Sequence, residues 1–402
     1  MNYQTVIGHI LDIGVLMIQS GAETHRVEDS IYRLCSAYGF ENCQCWVVPT
    51  NIQATATTPD GAVLTQIRHV RSTGFDFDRL DRLNNLSRRC CREVPDEDTL
   101  ADLIAVSAGD HPWKKWVSYP AAVLAGAGFG VFFHCDALDA LVAALVSLLI
   151  AVLGMSLRRR ESNPLIINFL ISFVAEIFIL CAVRLGFGHH TGYITVGVVM
   201  LLISALGTTN GVRDLVHLDT LSGFVNITAS VTGAIGIALG IALPILLLPS
   251  WSTSDAIGVN PNPVVTLIAA VIGCVGFALY FNVLKPRHIL ACAVGSLLTW
   301  GVYLLFELVF HAPFIPTIIA STVCALYALM MARLNKAPAT VFQTICIFPV
   351  IPGSALYYTA YGAVMGNVTF AKEMGMSVIM SCFAIVLGSM AVEAVNRFVR
   401  RK

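Results

Sequence analysis

VSYPAAVLAGAGFGVFF, residues 117–133, returns 148 positions later as VTLIAAVIGCVGFALYF, residues 265–281. Val117, Ala121, Ala122, Val123, Gly128, Phe129 and Phe133 are matched by Val265, Ala269, Ala270, Val271, Gly276, Phe277 and Phe281. Apolar sequences match by chance, yet the same offset sets Gly240 over Gly388 and an interrupted stretch at 203–215 over another at 347–358. One offset that serves both ends of a segment indicates a duplication.

Around this pair, residues 114–396 divide into ten hydrophobic stretches, roughly 116–134, 137–154, 165–185, 191–206, 224–248, 264–284, 288–309, 314–332, 340–362 and 374–395. About 20 apolar residues cross a hydrocarbon core of roughly 30 Å, so each reads as a transmembrane helix. Composition agrees: hydrophobic residues are 56% of the 402 and charged residues 12%, against about 25% charged in globular chains. A net charge of zero without a basic run argues against nucleic acid as a ligand. No cleavable amino-terminal signal is recognisable, so the first domain is expected to stay cytosolic.

Lys and Arg are retained on the cytoplasmic side of a membrane. Lys114 and Lys115 precede the first span, and Arg158, Arg159 and Arg160 follow the second. Arg213 follows the fourth, Lys285 and Arg287 the sixth, Arg333 and Lys336 the eighth, and Arg397, Arg400, Arg401 and Lys402 close the chain. Only Arg184 and Lys372 fall on the other face, which predicts ten crossings with both termini cytoplasmic. Each copy then holds five crossings, an odd number, so the second enters the membrane from the opposite side. Inverted repeats build many secondary transporters, because two opposed copies exchange conformations around one midplane site. A symmetric channel or scaffold is the alternative.

The expected architecture is a mainly α membrane protein, with ten transmembrane helices as a 5+5 inverted repeat containing two broken helices. A small α+β cytosolic domain at 1–112 precedes the repeats at 113–250 and 251–402. In that domain, residues 4–18 and 23–38 read as helices, the second placing Val27, Ile31, Leu34 and Tyr38 at helical spacing. Strands are expected at 43–48, 51–58 and 63–70, with Pro59, Asp60 and Gly61 as a turn, followed by helices at 77–91 and 96–107. Twelve scattered cysteines lack zinc-knuckle spacing, and those in apolar segments read as small buried hydrophobes.

The paired interruptions are the candidate site. ISALGTTNGVRDL (203–215) and IFPVIPGSALYY (347–358) place Gly, Thr, Asn and Pro where apolar helix should continue. Unwound backbone at membrane depth is tolerated only against protein or a water-filled cavity, and paired breaks in matching halves point to a binding site. Thr208, Thr209, Asn210, Arg213 and Asp214 in the first half and Pro352, Gly353, Tyr357 and Tyr358 in the second are the expected substrate residues. Half-helix amino termini there would offer N–H groups and positive dipole to a carboxylate. Arg213 also reads as a topological anchor.

Glu176, near the bilayer centre in the third span, is the candidate proton-coupling carboxylate, with a protonated structural role as the alternative. His189 and His190 at the outer end of the fourth span read as interfacial residues or a pH sensor. In SGAETHRVEDSIYRL (20–34), Ser20 or Gly21 is expected to cap the second helix, while Glu23, Thr24, His25, Arg26 and Glu28 form a polar cluster. It has no second histidine at a zinc-ligand spacing and no nucleophile beside a base, so neither metal nor cofactor is expected and the chain does not read as an enzyme.

GAETHRVEDSIYRL (21–34), NGVRDL (210–215) with Ser222 and Gly223, and PGSALY (352–357) together resemble the threonine/serine exporter family over nearly all of the chain. The resemblance implies a cytosolic domain ahead of ten spans and export of small hydroxy amino acids, driven by the proton gradient or membrane potential, across a bacterial inner membrane. Ser204 and Ala205 stand where the family usually carries Pro-Gly, which predicts a softer first break. Dicarboxylate export stays open, because two-chain relatives look like dicarboxylate exporters, as does a metabolite-gated channel or sensor. The implied partners are a small-molecule substrate, protons and the lipid bilayer. Small residues along the first and sixth spans (Gly126, Gly128, Gly130, Gly273 and Gly276) permit close helix packing within a protomer or in a homo-oligomer.

Overall fold

A computed structural model describes residues 2–71, 73–109, 114–157, 160–161, 163–203, 205–253, 258–310 and 312–400. Arg158, Arg159, Ser204, Arg401 and Lys402, and the expected boundary at 112, lie outside the described residues, as do the side chains of Lys115, Arg397 and Arg400. The chain forms two compact units. One is Met1–Lys114 with Phe281–Leu284 and Ala332–Val341, and the other holds the remaining residues.

The first unit begins with α1 (Tyr3–Gln19) and α2 (Thr24–Ala37). Asn2 caps α1 by accepting the amides of Gln4 and Thr5, which satisfies two donors that the first turn leaves without partners. β1 (Glu41–Val48), β2 (Asn51–Thr57) and β3 (Val63–His69) follow as an antiparallel sheet in the order β1-β2-β3. Ile52, Ala54 and Ala56 point into the core beside Val27, Ile31 and Leu34, as alternation in a one-sided sheet requires. α3 (Phe77–Glu93) and α4 (Glu97–Ala108) complete the unit, capped by the side chains of Asp76 and Asp96.

Two short segments from far along the chain join this unit. The Phe77 amide donates to the Phe281 carbonyl at 2.9 Å, and Phe75, Phe77 and Phe281 form one aromatic cluster. Lys114 Nζ binds both oxygens of Asp76, at 3.0 and 2.8 Å, in a nearly buried ion pair.

The second unit is helical: α5 (Lys114–Phe132), α6 (Ala137–Leu157), α7 (Pro164–Arg184), α8 (Thr191–Val199), α9 (Ala205–Val216), α10 (Thr220–Leu247), α11 (Pro263–Tyr280), α12 (Pro286–Phe310), α13 (Phe314–Asn335), α14 (Ala339–Cys346), α15 (Gly353–Val364) and α16 (Val368–Arg400). Seven of these helices are long and apolar enough to cross a membrane, or eight if the bent pair α14–α15 counts as one span. Ten were expected. The apolar run of α5 is a 17-residue helix, Trp116–Phe132, and α8 and α9 have nine and 12 residues.

Glycines set the close crossings. A side chain on Gly128 would meet the Gly273 backbone at 2.5 Å, and one on Gly276 would meet the Ala125 backbone at 2.3 Å, so α5 and α11 touch main chain to main chain. Phe129 and Phe277 lie across the same crossing, 5.5 Å between ring centroids. Gly240 of α10 receives Ser172 of α7, and Gly388 of α16 receives Ser321 of α13, each with room for no Cβ. Close packing by small residues is how helices associate where lipid removes the hydrophobic incentive. Gly126 and Gly130 are likewise packed inside the protomer, against Ser147 and against Ala143 and Cys135. All twelve cysteines are free, eight of them buried.

Candidate functional site

α8 ends at Val199 and α9 begins at Ala205. The connecting amides of Leu201 and Leu202 turn back to the carbonyls of Val198 and Val199, and that of Ile203 also reaches Val199. Tight local bonds thus satisfy the unwound backbone. The sequence placed this interruption within 203–215, but Gly207 to Gly211 lies inside regular helix. Gly211 serves the crossing instead: a side chain there would meet the Gly223 carbonyl at 2.8 Å, and one on Gly223 would meet the Gly211 carbonyl at 2.7 Å.

The second interruption is where the prolines put it. α14 and the segment Phe348–Val364 are bent by 44°, and a 3₁₀ turn at Phe348–Val350 leads to Pro352 at the cap of α15. Proline removes a donor and fixes φ, so it ends a helix or starts one. Phe348 stacks on Phe277 at 4.1 Å and anchors the turn. The two breaks touch: a Cβ on Gly353 would fall 2.7 Å from Met200 Sδ and 3.5 Å from Ile203 Cγ2.

Glu176 lies mid-way along α7 and is 1% exposed. Thr195 of α8 is 2.8 Å from its Oε2 and equally close to the Thr191 carbonyl, so one hydroxyl proton serves two acceptors. Oε1 is buried with no hydrogen-bond partner. Tyr357, buried on α15, and Tyr361 one turn further lie within electrostatic reach of this carboxylate. Glu176 therefore stands between the first broken helix and the second. A carboxylate at such depth costs about 2.5–3.5 kcal/mol even on insertion scales.

Asp214 is committed to the α9–α10 hairpin. Its Oδ2 accepts from Ser222 Oγ at 2.7 Å and Asn226 Nδ2 at 2.9 Å. Arg213 is buried beside it. The two residues lie eight and nine positions beyond Ala205, about 12–14 Å along the helix from the break. Thr208, one turn from the break, is buried with no partner for Oγ1, while Thr209 lies 3.8 Å from Cys382 Sγ of α16. Asn210 is half-buried. Tyr358 is half-buried, its ring 5.0 Å from that of Tyr357 and 5.9 Å from that of Phe370.

The amino-terminal motif serves its own unit. The cap of α2 is Glu23, whose side chain makes no capping bond to the first turn, in place of the expected Ser20 or Gly21. Ser20 closes α1 by donating to the Leu16 carbonyl and accepts from Arg79. Gly21 turns at φ +91°, with Phe75 too close for any side chain. Glu23 accepts from Arg26 at 3.1 Å and lies 3.6 Å from His25 Nε2, and Glu28 accepts the Val47 amide at 3.1 Å. Thr24 is buried, with Oγ1 unpartnered.

Asp136, Asp139 and His189 place ligand atoms within 4.8 Å of one another, the one such grouping among the described residues. Asp136 and Asp139 cap α6 reciprocally through their amides, and Asp139 Oδ1 accepts the amides of His189 and His190. His189 pairs with Asp136 at 2.5 Å and His190 with Asp139 at 2.8 Å.

Comparison with known proteins adds to this geometry. Residues 9–248 match the family model described as “Putative threonine/serine exporter”, and residues 266–395 match “Threonine/Serine exporter, ThrE”. The chain belongs to the threonine/serine exporter family. A “Probable threonine/serine exporter” of Mycobacterium tuberculosis is similar, 23% identical over 412 residues that cover 96% of this chain and 76% of that protein. No solved structure matches. Membership of the exporter family makes the chain a membrane transporter of small molecules rather than an enzyme. The sequence offered no sign of Thr195, Met200 or Asn226, and named Ser222 only as part of a motif, without its bond to Asp214. The Ser222–Gly223 pair was a visible signal, but Thr195 and Met200 have none in a single apolar sequence.

Proposed function

We propose that the protein exports threonine, serine or a similar small acid across a bacterial inner membrane in exchange for protons, through a site between the α8–α9 and α14–α15 breaks. The observation that carries this is the seating of Gly353 against Met200 and Ile203, which brings the amino terminus of α15, with its N–H groups, against the α8–α9 break. A substrate carboxylate is suited to those N–H groups. Thr208 and Tyr357 supply polar contacts one turn beyond each break, and Glu176 carries the proton. Asp214 and Arg213 act further along α9, Asp214 by holding the hairpin and Arg213 by anchoring it at the cytoplasmic face.

The two membrane halves are an inverted repeat, each making five crossings, with α5 and the pairs α8–α9 and α14–α15 as spans. Element spacing supports it: Ala339 follows Thr191 by 148 residues, Gly353 follows Ala205 by 148, and Val368 follows Thr220 by 148. So does reciprocity. Gly128 meets Gly273 while Gly276 meets Ala125, and the 148-residue offset exchanges those two contacts. Mutual contacts of that kind mark a twofold axis.

Radiolabelled serine or threonine offered to inside-out vesicles tests the proposal. Saturable uptake that rises with an imposed pH gradient and shows counterflow is expected. If no small amino or dicarboxylic acid is taken up in a gradient-dependent manner, the proposal fails; passive, unsaturable flux without counterflow means a channel.

A further inference from the structure

We propose that Glu176 Oε1 is the docking point for the α-ammonium group of the substrate, so that amino acid and proton compete for one carboxylate. The inference rests on the exporter reading above and adds how recognition and coupling share an atom. Glu176 is 1% exposed, has a single hydroxyl on Oε2 and nothing on Oε1, and no cation pairs with it among the described residues. A buried carboxylate in that condition is stable only when it holds a proton or a cationic ligand. The structure supplies neighbours from both broken helices: Thr195 on α8, and Tyr357 and Tyr361 on α15. Gly353 lies four residues before Tyr357 on α15, about 6 Å back along the helix. That span suits one small amino acid, its ammonium at Glu176 and its carboxylate at the α15 amino terminus.

The exchange balances. A zwitterion entering from the cytoplasm puts its NH₃⁺ against the carboxylate, and the proton that had neutralised Glu176 leaves to water on that side. At the outer face a proton returns to the carboxyl, and the zwitterion departs with its own three ammonium protons. One proton enters for each amino acid exported, and one positive charge moves inward. Acids that lack the amine, such as 3-hydroxybutyrate or succinate, would bring a second anion or nothing to Oε1 and are excluded.

Calorimetric binding to the purified full-length protein, in buffers of different ionisation enthalpy, tests this alongside counterflow in proteoliposomes. Serine and threonine are expected to displace about one proton on binding, with affinity falling about tenfold per pH unit on the acid side of the Glu176 titration. Neither 3-hydroxybutyrate nor succinate should bind with proton release. Glu176→Gln should reach the membrane yet lose both serine binding and counterflow. If E176Q keeps binding and counterflow and loses only gradient-driven flux, Glu176 carries the proton alone; the inference falls and the exporter reading stands. Proton release by 3-hydroxybutyrate equal to that by threonine overturns it as well, and this wild-type comparison decides even if E176Q misfolds. Absence of any transport by the wild type would instead defeat the exporter reading.

Discussion

At the scale of single residues, Gly353 and Asp214 separate a site from its scaffold. Valine at 353 would drive Cβ to 2.7 Å from Met200 Sδ. Gly353→Val is expected to abolish counterflow while the protein still inserts, and counterflow at the wild-type rate would count against the paired breaks. Ser222→Ala removes one donor from buried Asp214 and should cost about 1.5–3 kcal/mol, the range for a hydrogen bond to a charged group. Its loss should appear in thermal melting, with transport per folded molecule largely kept. Glu176 was legible because an ionisable group in an apolar run of that length has few bland explanations. Its partner Thr195 was not, because helix-to-helix register is a property of packing. The first break was misplaced for a related reason: Gly211 suggested unwinding, whereas it lets α9 and α10 cross.

Among the elements, those with strong local signals were legible. α2 follows its Val27, Ile31 and Leu34 stripe, and the three strands follow their turns. The capping of α2 was not, since Ser20 is drawn away by Arg79, 59 residues distant. Lys114 and Asp76 pair within the first unit at the start of α3, with side chains 7% and 12% exposed. Lys114→Ala leaves a nearly buried carboxylate without its cation and is expected to destabilise the first unit by about 3–5 kcal/mol, read as a lower melting transition or faster proteolysis between α2 and α3. The α7–α8 connection depends on pH. The Asp136 side chain bonds to His189 and raises its pKa above the usual 6.5. Burial opposes ionisation of Asp136, but hydrogen bonds from Asp139 and His189 and the imidazolium charge hold its pKa below 3.8. The pair is fully formed between those two values. It weakens as pH falls through the depressed carboxylate value and as pH rises through the elevated imidazole value. Beside it, Asp139 is buried and engaged by His190. A cysteine at exposed Phe187 should therefore gain labelling rate as pH rises past the His189 titration beyond the rise that thiol ionisation alone gives, and show only that ionisation rise in His189→Ala. Identical pH profiles in the two backgrounds would contradict the pairing.

For the whole molecule, the proposed repeat rests on seven identities and one offset in the sequence, and the spacing of the helices supports it. The same glycines left open whether they joined helices within a protomer or between protomers. Backbone contacts of Gly128, Gly273 and Gly276 are intramolecular. Span number was less legible, because the stretch 191–206 takes in α8 and only the first two residues of α9, and each of these helices alone is too short to cross. The account depends on the two halves entering the bilayer from opposite sides. Leu185 after α7 and Leu334 at the end of α13 lie within one residue of the proposed 148-residue offset, and both are highly exposed, 72% and 70%. A membrane-impermeant thiol reagent applied to intact cells carrying Leu185→Cys or Leu334→Cys, in a background without reactive native cysteines, reads their sides directly. Labelling of position 185 from outside, and of position 334 only after permeabilisation, is the predicted result; labelling of both from the same side would contradict the account.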